Sequence, residues 1–318
     1  MNSGPKVVAL GGGHGLAVTL SALRRITSNI TAIVTVADDG GSSGRLRKEF
    51  GIIPPGDLRM ALAALCSNDE VGRGWSDVVQ HRFQGDGPLA GHAVGNLLLA
   101  ALWEILDDPV AGLDAVGSLL GVTGRVLPMS AVPLEITAEV KKSGEVSTVR
   151  GQVAVATAPG EILSIALEPN DPPARPESIT AIKEAEWIVL GPGSWYSSVI
   201  THLLVPEQRT ALAQSTAKKV VVLNMIRPGV AIEETADYTA DRLLDVLREH
   251  APDLKFDFVL ADPGAVSDRP ALEAAAARLG ATVIFANVAK GAGEPLHDPA
   301  KLAFALADVF TPPQNLTR

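Results

Sequence analysis

The stretch Lys6-Val7-Val8-Ala9-Leu10-Gly11-Gly12-Gly13-His14-Gly15-Leu16, KVVALGGGHGL, decides the fold. A short β-type run, 6–10, passes straight into a glycine turn, 11–15. Apolar residues then recur at Leu16, Leu20, Leu23 and Ile26, the spacing of one helix face. A second β-type run at 31–36 completes a β-loop-α-β unit. The same alternation returns in EWIVL (186–190), KVVVLNM (219–225), FDFVLAD (256–262) and ATVIFANV (281–288), with helical stretches between them. Strands that alternate with helices predict an α/β fold, a mainly parallel sheet with helices on both faces.

Further helices are expected at 57–66, after a Pro-Pro-Gly start signal, and at 92–105, where apolar residues run nearly all round and predict burial. Between 125 and 168 the character changes. LEITAEV alternates, Ser143-Gly144 is a turn, and VSTVRGQVAVAT and ILSIAL follow, which predicts an inserted antiparallel β meander. NDPPARP at 170–176 reads as a linker or helix approach. The expected organisation is one α/β domain over 1–318 carrying that β-rich subregion.

With 318 residues, 47% of them hydrophobic, the chain can bury a sizeable core. Its net charge of −9 disfavours a surface that tracks a polyanion, so nucleic acid is not the expected partner. A single cysteine, Cys66, excludes an internal disulfide and fits a reducing compartment. No apolar run approaches the ~20 residues of a membrane span, and MNSGP leads into the first strand without a signal-peptide profile. The expected setting is the cytoplasm.

Glycine turns at strand ends carry the functional signal. Gly11, Gly12, Gly13, His14 and Gly15 follow a strand and open a helix, the setting in which backbone N–H groups and the helix dipole hold a phosphate. This is not G-x-G-x-x-G, because position 16 is leucine. His14 either donates to a phosphate or caps the turn. Gly191-Pro192-Gly193-Ser194, with Ser197 beyond, repeats the context and predicts a second phosphate- or sugar-binding turn.

Beyond the second strand lies ADDGGSSGRLR. Asp38 and Asp39 are placed to meet ribose hydroxyls or to hold Mg²⁺ against phosphate oxygens, while Gly40, Gly41, Ser42, Ser43 and Arg45 form a donor-rich turn. No cofactor is required on this reading, although Mg²⁺ can join through the two acids. Asp57 sits at the expected helix N-cap, and Arg59 in the first turn calls for an anionic partner. His92 and Asn96 lie one helical turn apart and either reach a ligand or form a core hydrogen bond. Asn224 and Asp262 end later strands, and Lys290 offers a cation just past the last one. The nucleophile elbow, zinc helix, paired C-x-x-C and Walker P-loop are all missing, so hydrolase, zinc-enzyme and ATPase readings lose ground.

As a set, GGGHGL, VTVADDGGSSGRLR, PPGDLR, GHAVGNLLLAAL, GRVLP and LGPGSWYSSVI resemble the YvcK-type gluconeogenesis factors, within the superfamily of the 2-phospholactate transferase CofD. The resemblance implies a Rossmann-like core that binds a UDP-sugar, notably UDP-N-acetylglucosamine. It implies a regulator, without an established reaction, that links central carbon metabolism to cell-wall synthesis and cell shape through a protein partner, with a homodimer as the expected assembly. The alternative it carries is a metal-dependent transferase acting on a nucleotide-diphosphate-linked substrate. Four positions depart from the family pattern. His14 replaces a threonine, His202 replaces an asparagine, Leu296 replaces an arginine before His297-Asp298, and MIRPGVAIEET at 225–235 replaces a Q-P-G-E-T form. Side chains of this kind would set selectivity.

Overall fold

The structure, a computed structural model, describes residues 4–67, 69–225, 235, 238–291 and 294–311. Among them the strands are β1 (Val7–Gly11), β2 (Ile30–Val34), β3 (Arg125–Pro128), β4 (Glu135–Lys142), β5 (Glu145–Arg150), β6 (Glu161–Glu168), β7 (Trp187–Leu190), β8 (Lys218–Val222), β9 (Phe258–Ala261) and β10 (Thr282–Phe285). Seven of them form one parallel sheet in the order β10-β9-β8-β7-β1-β2-β3. β1 is central, with Val7 opposite Ile30 on one side and Trp187 on the other. Every residue of β1 and β7 is buried, as aliphatic runs covered on both faces must be. β3 ends the sheet on Pro128, an edge position where a missing N–H costs no ladder bond.

The helices are α1 (Gly13–Leu23), α2 (Gly41–Phe50), α3 (Pro55–Leu65), α4 (Glu70–Gln80), α5 (Val94–Leu106), α6 (Pro109–Leu119), α7 (Gln152–Ala156), α8 (Pro176–Glu184), α9 (Pro206–Gln214), α10 (Ala240–His250), α11 (Arg269–Arg278) and α12 (Pro299–Phe310). α1 packs between α3 and α12, while α8 meets α9 and α10 meets α11. Leu16, Leu20 and Leu23 of α1 are buried, as their spacing predicts, and each contributes roughly 1.5–3 kcal/mol by leaving water.

Four expectations are corrected. The donor-rich stretch after Asp39 is helical from Gly41. Gly51, at φ +67, closes that helix, and Arg47 and Lys48 in its last turn favour the negative end of the dipole. α5 is amphipathic rather than buried all round, since Ile105 is 74% exposed while Leu99 and Trp103 face the core. The expected 125–168 insertion begins later: residues 125–128 are β3 of the main sheet, and the antiparallel meander β5-β4-β6 spans 135–168. Within it, residues 152–156 form α7 where VSTVRGQVAVAT reads as strand. Gly151, at φ +92, ends the ladder, and α7 then turns back onto β4.

Candidate functional site

From β1 the chain builds outward in both directions, with β2 and β3 on one side and β7 to β10 on the other. In such a sheet a crevice opens beyond the carboxyl ends of the two strands at the reversal. Those strands are β1 and β7. Each runs directly into one of the glycine turns, so chain topology brings together two segments some 180 positions apart.

Close packing locks the two turns. A Cβ on Gly15 would overlap the Pro192 carbonyl, so only glycine lets α1 approach the second turn this far. Thr19 Oγ1 donates to the Gly191 carbonyl at 3.2 Å. Asn224, just past β8, grips Gly193 from both sides: Gly193 N–H donates to Asn224 Oδ1 at 2.9 Å, and Asn224 Nδ2 donates to the Gly193 carbonyl at 2.7 Å. Trp195, fully buried, donates from Nε1 to the Leu243 carbonyl at 3.0 Å and fixes the following turn to α10. His202 Nε2 reaches the Gly11 carbonyl at 3.1 Å, with Nδ1 2.9 Å from Gln208 Nε2. Burial drives its pKa down to about 4, so the neutral ring serves as a hydrogen-bonding strut for the first turn.

Between these turns lies a cleft of about 430 Å³. Gly12, Gly13, His14, Gly15, Pro192, Gly193, Ser194 and Asn224 line it, joined by Asp57, Gln152, Ser198 and His297. α1 has no side-chain cap at Gly12, and Leu16 N–H is the first to bond back, to the Gly12 carbonyl. Within that first turn Gly13 N–H is taken by the Asp57 carboxylate, which leaves the His14 and Gly15 N–H groups at the mouth of the cleft as the donors for an anion.

Asp57 is the electrostatic centre. It lies in the first turn of α3 instead of capping it, because the N-cap is Pro54. Its carboxylate crosses to α1: a Cβ on Gly12 would stand 2.6 Å from Asp57 Oδ2 and 3.2 Å from Ser198 Oγ. Gly13 N–H bonds to this carboxylate, yet Oδ2 is buried with no hydrogen-bond partner. Burial first, and the neighbouring Asp38 second, raise the Asp57 pKa from 3.8 to about 7, against the lowering pull of Gly13 and Arg59. Asp38 is raised too, chiefly by burial, although it accepts from Gly40 N–H at 2.9 Å and from the Ser43 hydroxyl.

The two adjacent acids of the sequence point to different places. The charge of Asp38 acts on Asp57, and a Cβ on Gly56, the residue before Asp57, would stand 3.0 Å from Asp38 Oδ2. Asp39 accepts from Val153 N–H at 3.0 Å and ties α7 to the sheet. Asp38 thus feels the charges of both Asp39 and Asp57, while one oxygen of Asp39 is taken up by Val153 N–H. Among the described residues no group of three metal-ligating side chains comes together.

Ser42, Arg59, His92 and Asn96 are all buried, and they bond to one another. Arg59 Nε donates to Asn96 Oδ1, Asn96 Nδ2 donates to Ser42 Oγ, and Ser42 Oγ pairs with His92 Nδ1, each at 3.0 Å. This chain joins α2, α3 and α5 behind the acids. Burial lowers the Arg59 pKa to about 10, with Arg82 adding to it, and Asp57 and Asp38 oppose the shift. Arg59 thereby supplies the positive charge beside the acid pair. Arg45 donates to the carbonyls of Pro88 and Ala90, at 3.3 and 2.7 Å, and does not line the cleft. Gly40 and Gly41 are the N-cap and first residue of α2, Ser197 is fully buried behind the second turn, and Lys290 is exposed outside the lining. Asp262 is absorbed structurally, accepting from the N–H groups of Gly264, Val288 and Ala289.

A family model described as 2-phospho-L-lactate transferase CofD matches residues 7–287. The chain belongs to this family. Within it, the chain falls among the gluconeogenesis factors. It is 53% identical to a protein of Mycobacterium leprae provisionally named a gluconeogenesis factor, over 96% of this chain and 86% of that one. It is 41% identical to the gluconeogenesis factor of Bacillus subtilis, over 79% and 76%. The crystal structure of a UPF0052 family member from Bacillus halodurans superposes with a TM-score of 0.84 at 36% identity, covering 95% of this chain and 98% of that one.

Two residues of this family member's cleft escape sequence reasoning. Gln152 has no motif around it and arrives only because Asp39 holds α7 against the sheet. His297 had a signal in its His-Asp-Pro context, but the sequence assigns it no role. Of the departures from the family pattern, His14 is exposed at the cleft, His202 is the buried strut and Leu296 lines the rim, 52% exposed. Residues 226–234 of the MIRPGVAIEET segment lie outside the described residues. No helix among the described residues is long and apolar enough to cross a membrane.

Proposed function

We propose that the chain binds a nucleotide-diphosphate sugar, in the first place UDP-N-acetylglucosamine, and acts as a regulator that couples central carbon metabolism to cell-wall synthesis and cell shape. The observation that carries the binding half is the meeting of two glycine turns at the sheet's reversal point, with the start of helix α1 at His14 and Gly15 lining a cleft of about 430 Å³. The diphosphate takes the N–H groups, and the nucleoside and sugar take the rest of the cleft. The regulatory half draws its support from the gluconeogenesis factors to which the chain is similar.

A transferase reading is favoured by one observation, the Asp38–Asp57 pair, together with the transferase name of the family model. Two acids that titrate high would accommodate Mg²⁺ arriving with a diphosphate. Thermal shift with UDP-N-acetylglucosamine, UDP-glucose, GTP and NAD, each with and without Mg²⁺, separates the readings. A ligand at ~100 times its Kd adds about 2.7 kcal/mol, a rise of a few degrees. Absence of any rise with UDP-sugars sinks the sensor. Binding that requires Mg²⁺ and ends in release of UMP or UDP establishes the transferase.

A further inference from the structure

The cleft is asymmetric in hydrogen-bonding capacity. On the side of the glycine turns it offers donors, the first-turn N–H groups of α1. Three other lining residues each carry a buried polar atom without a hydrogen-bond partner: Asp57 Oδ2, Gln152 Oε1 and His297 Nε2. Buried polar atoms are paired in the great majority of cases, so three orphans around one cleft point to a ligand.

All three can act as acceptors. His297 is only 8% exposed, and its ring bonds to the Leu223 carbonyl. A carbonyl can only accept, so the ring proton sits on Nδ1 and Nε2 is left with a lone pair. Asp57 is partly accounted for by its own titration, since a protonated Oδ2 would be a donor. His297 has no such escape, and Gln152 as oriented presents its oxygen. An anion placed against either atom would be repelled, whereas a hydroxyl or N–H group would satisfy it.

We propose that His297 and Gln152 are specificity-determining residues that accept hydrogen bonds from hydroxyl or N–H groups on the uncharged part of the ligand. This rests on reading the cleft as a nucleotide-diphosphate-sugar site, and it divides the labour there: the glycine turns take the phosphates, and these two side chains test for donors. A ligand of the same charge and size without donors at those points leaves two buried acceptors stranded and is rejected.

Titration calorimetry of the full chain with UDP-N-acetylglucosamine, UDP and inorganic pyrophosphate tests this. His297→Asn keeps a donor for the Leu223 carbonyl and removes the Nε2 acceptor, and Gln152→Leu removes the other acceptor. Expected is a loss of about tenfold in affinity for UDP-N-acetylglucosamine in each variant, with pyrophosphate affinity unchanged. A parallel loss with UDP places the donors on the nucleoside, and a loss confined to the sugar nucleotide places them on the sugar; both support the assignment. Unchanged affinity in the variants, or an equal loss with pyrophosphate, overturns it. Failure of the wild-type chain to bind any of the uridine ligands overturns instead the site reading on which it rests.

Discussion

Replacing Asp57 by asparagine should stabilise the protein above neutral pH and leave it unchanged in acid. The carboxyl ionises at about 7 in the fold against 3.8 ordinarily, because burial and Asp38 both disfavour the charge. A raised carboxyl contributes stability in its protonated form. That contribution is complete below the unfolded value and is lost as pH climbs from about 4 to about 7. Three pH units at about 1.4 kcal/mol each amount to roughly 4 kcal/mol at full ionisation, an upper bound that relaxation and the nearby Arg59 reduce. Asparagine never ionises, can still accept from Gly13 N–H, and also relieves Asp38 of a like charge. For a chain of this length 1 kcal/mol moves Tm by roughly 1.5 °C, so the variant should melt about 3–6 °C above wild type at about pH 8.5. At about pH 3.5, below the unfolded value, the two should nearly coincide. Melting curves by calorimetry across that range decide the matter. Wild type and variant running parallel at every pH would refute the assignment of a buried, reluctantly charged carboxyl to this position.

Three further outcomes follow from the packing around the cleft. Gly15→Ala drives a methyl group into the Pro192 carbonyl and should cost about 2 kcal/mol or more, seen as a fall in the urea midpoint. Asn224→Leu removes both bonds to Gly193 and should weaken UDP-N-acetylglucosamine binding about tenfold while the chain stays folded, measured by calorimetry with circular dichroism as control. Asp39→Ala frees Val153 N–H and should speed amide exchange across α7 without altering any Mg²⁺ dependence of ligand binding. A lost metal response would return that acid to the ion site.

How much was legible in the sequence depended on how local the cause was. The β1–turn–α1–β2 unit and the strands 186–190 to 281–288 could be read because aliphatic runs and glycines mark them within ten residues. Both glycine turns were found for the same reason. α2 read as a loop because its glycines and serines favour turns, while its closing signal at Gly51 lies outside the motif. The different surroundings of the two acids are not legible, because neighbouring side chains in a non-helical segment diverge, and only the fold puts Val153 N–H on Asp39 and the charge of Asp57 near Asp38. For His92 and Asn96 the sequence leaves a ligand contact and a core hydrogen bond equally open, and for Arg59 and Ser42 it points to a ligand. Their mutual bonds become visible only when α2, α3 and α5 are packed together.

The central place of β1 carries a consequence for synthesis. Its partner on one side, β2, follows within about twenty residues, but its partner on the other, β7, is made only after residue 186. At ribosomal speeds of roughly 5–20 residues per second, an aliphatic strand edge stands open for about ten seconds or more before it can pair. The nascent chain therefore depends on what shields Val7 to Leu10 during that interval, and changes that slow the arrival of β7 would lower yield through aggregation while leaving the finished protein's stability untouched.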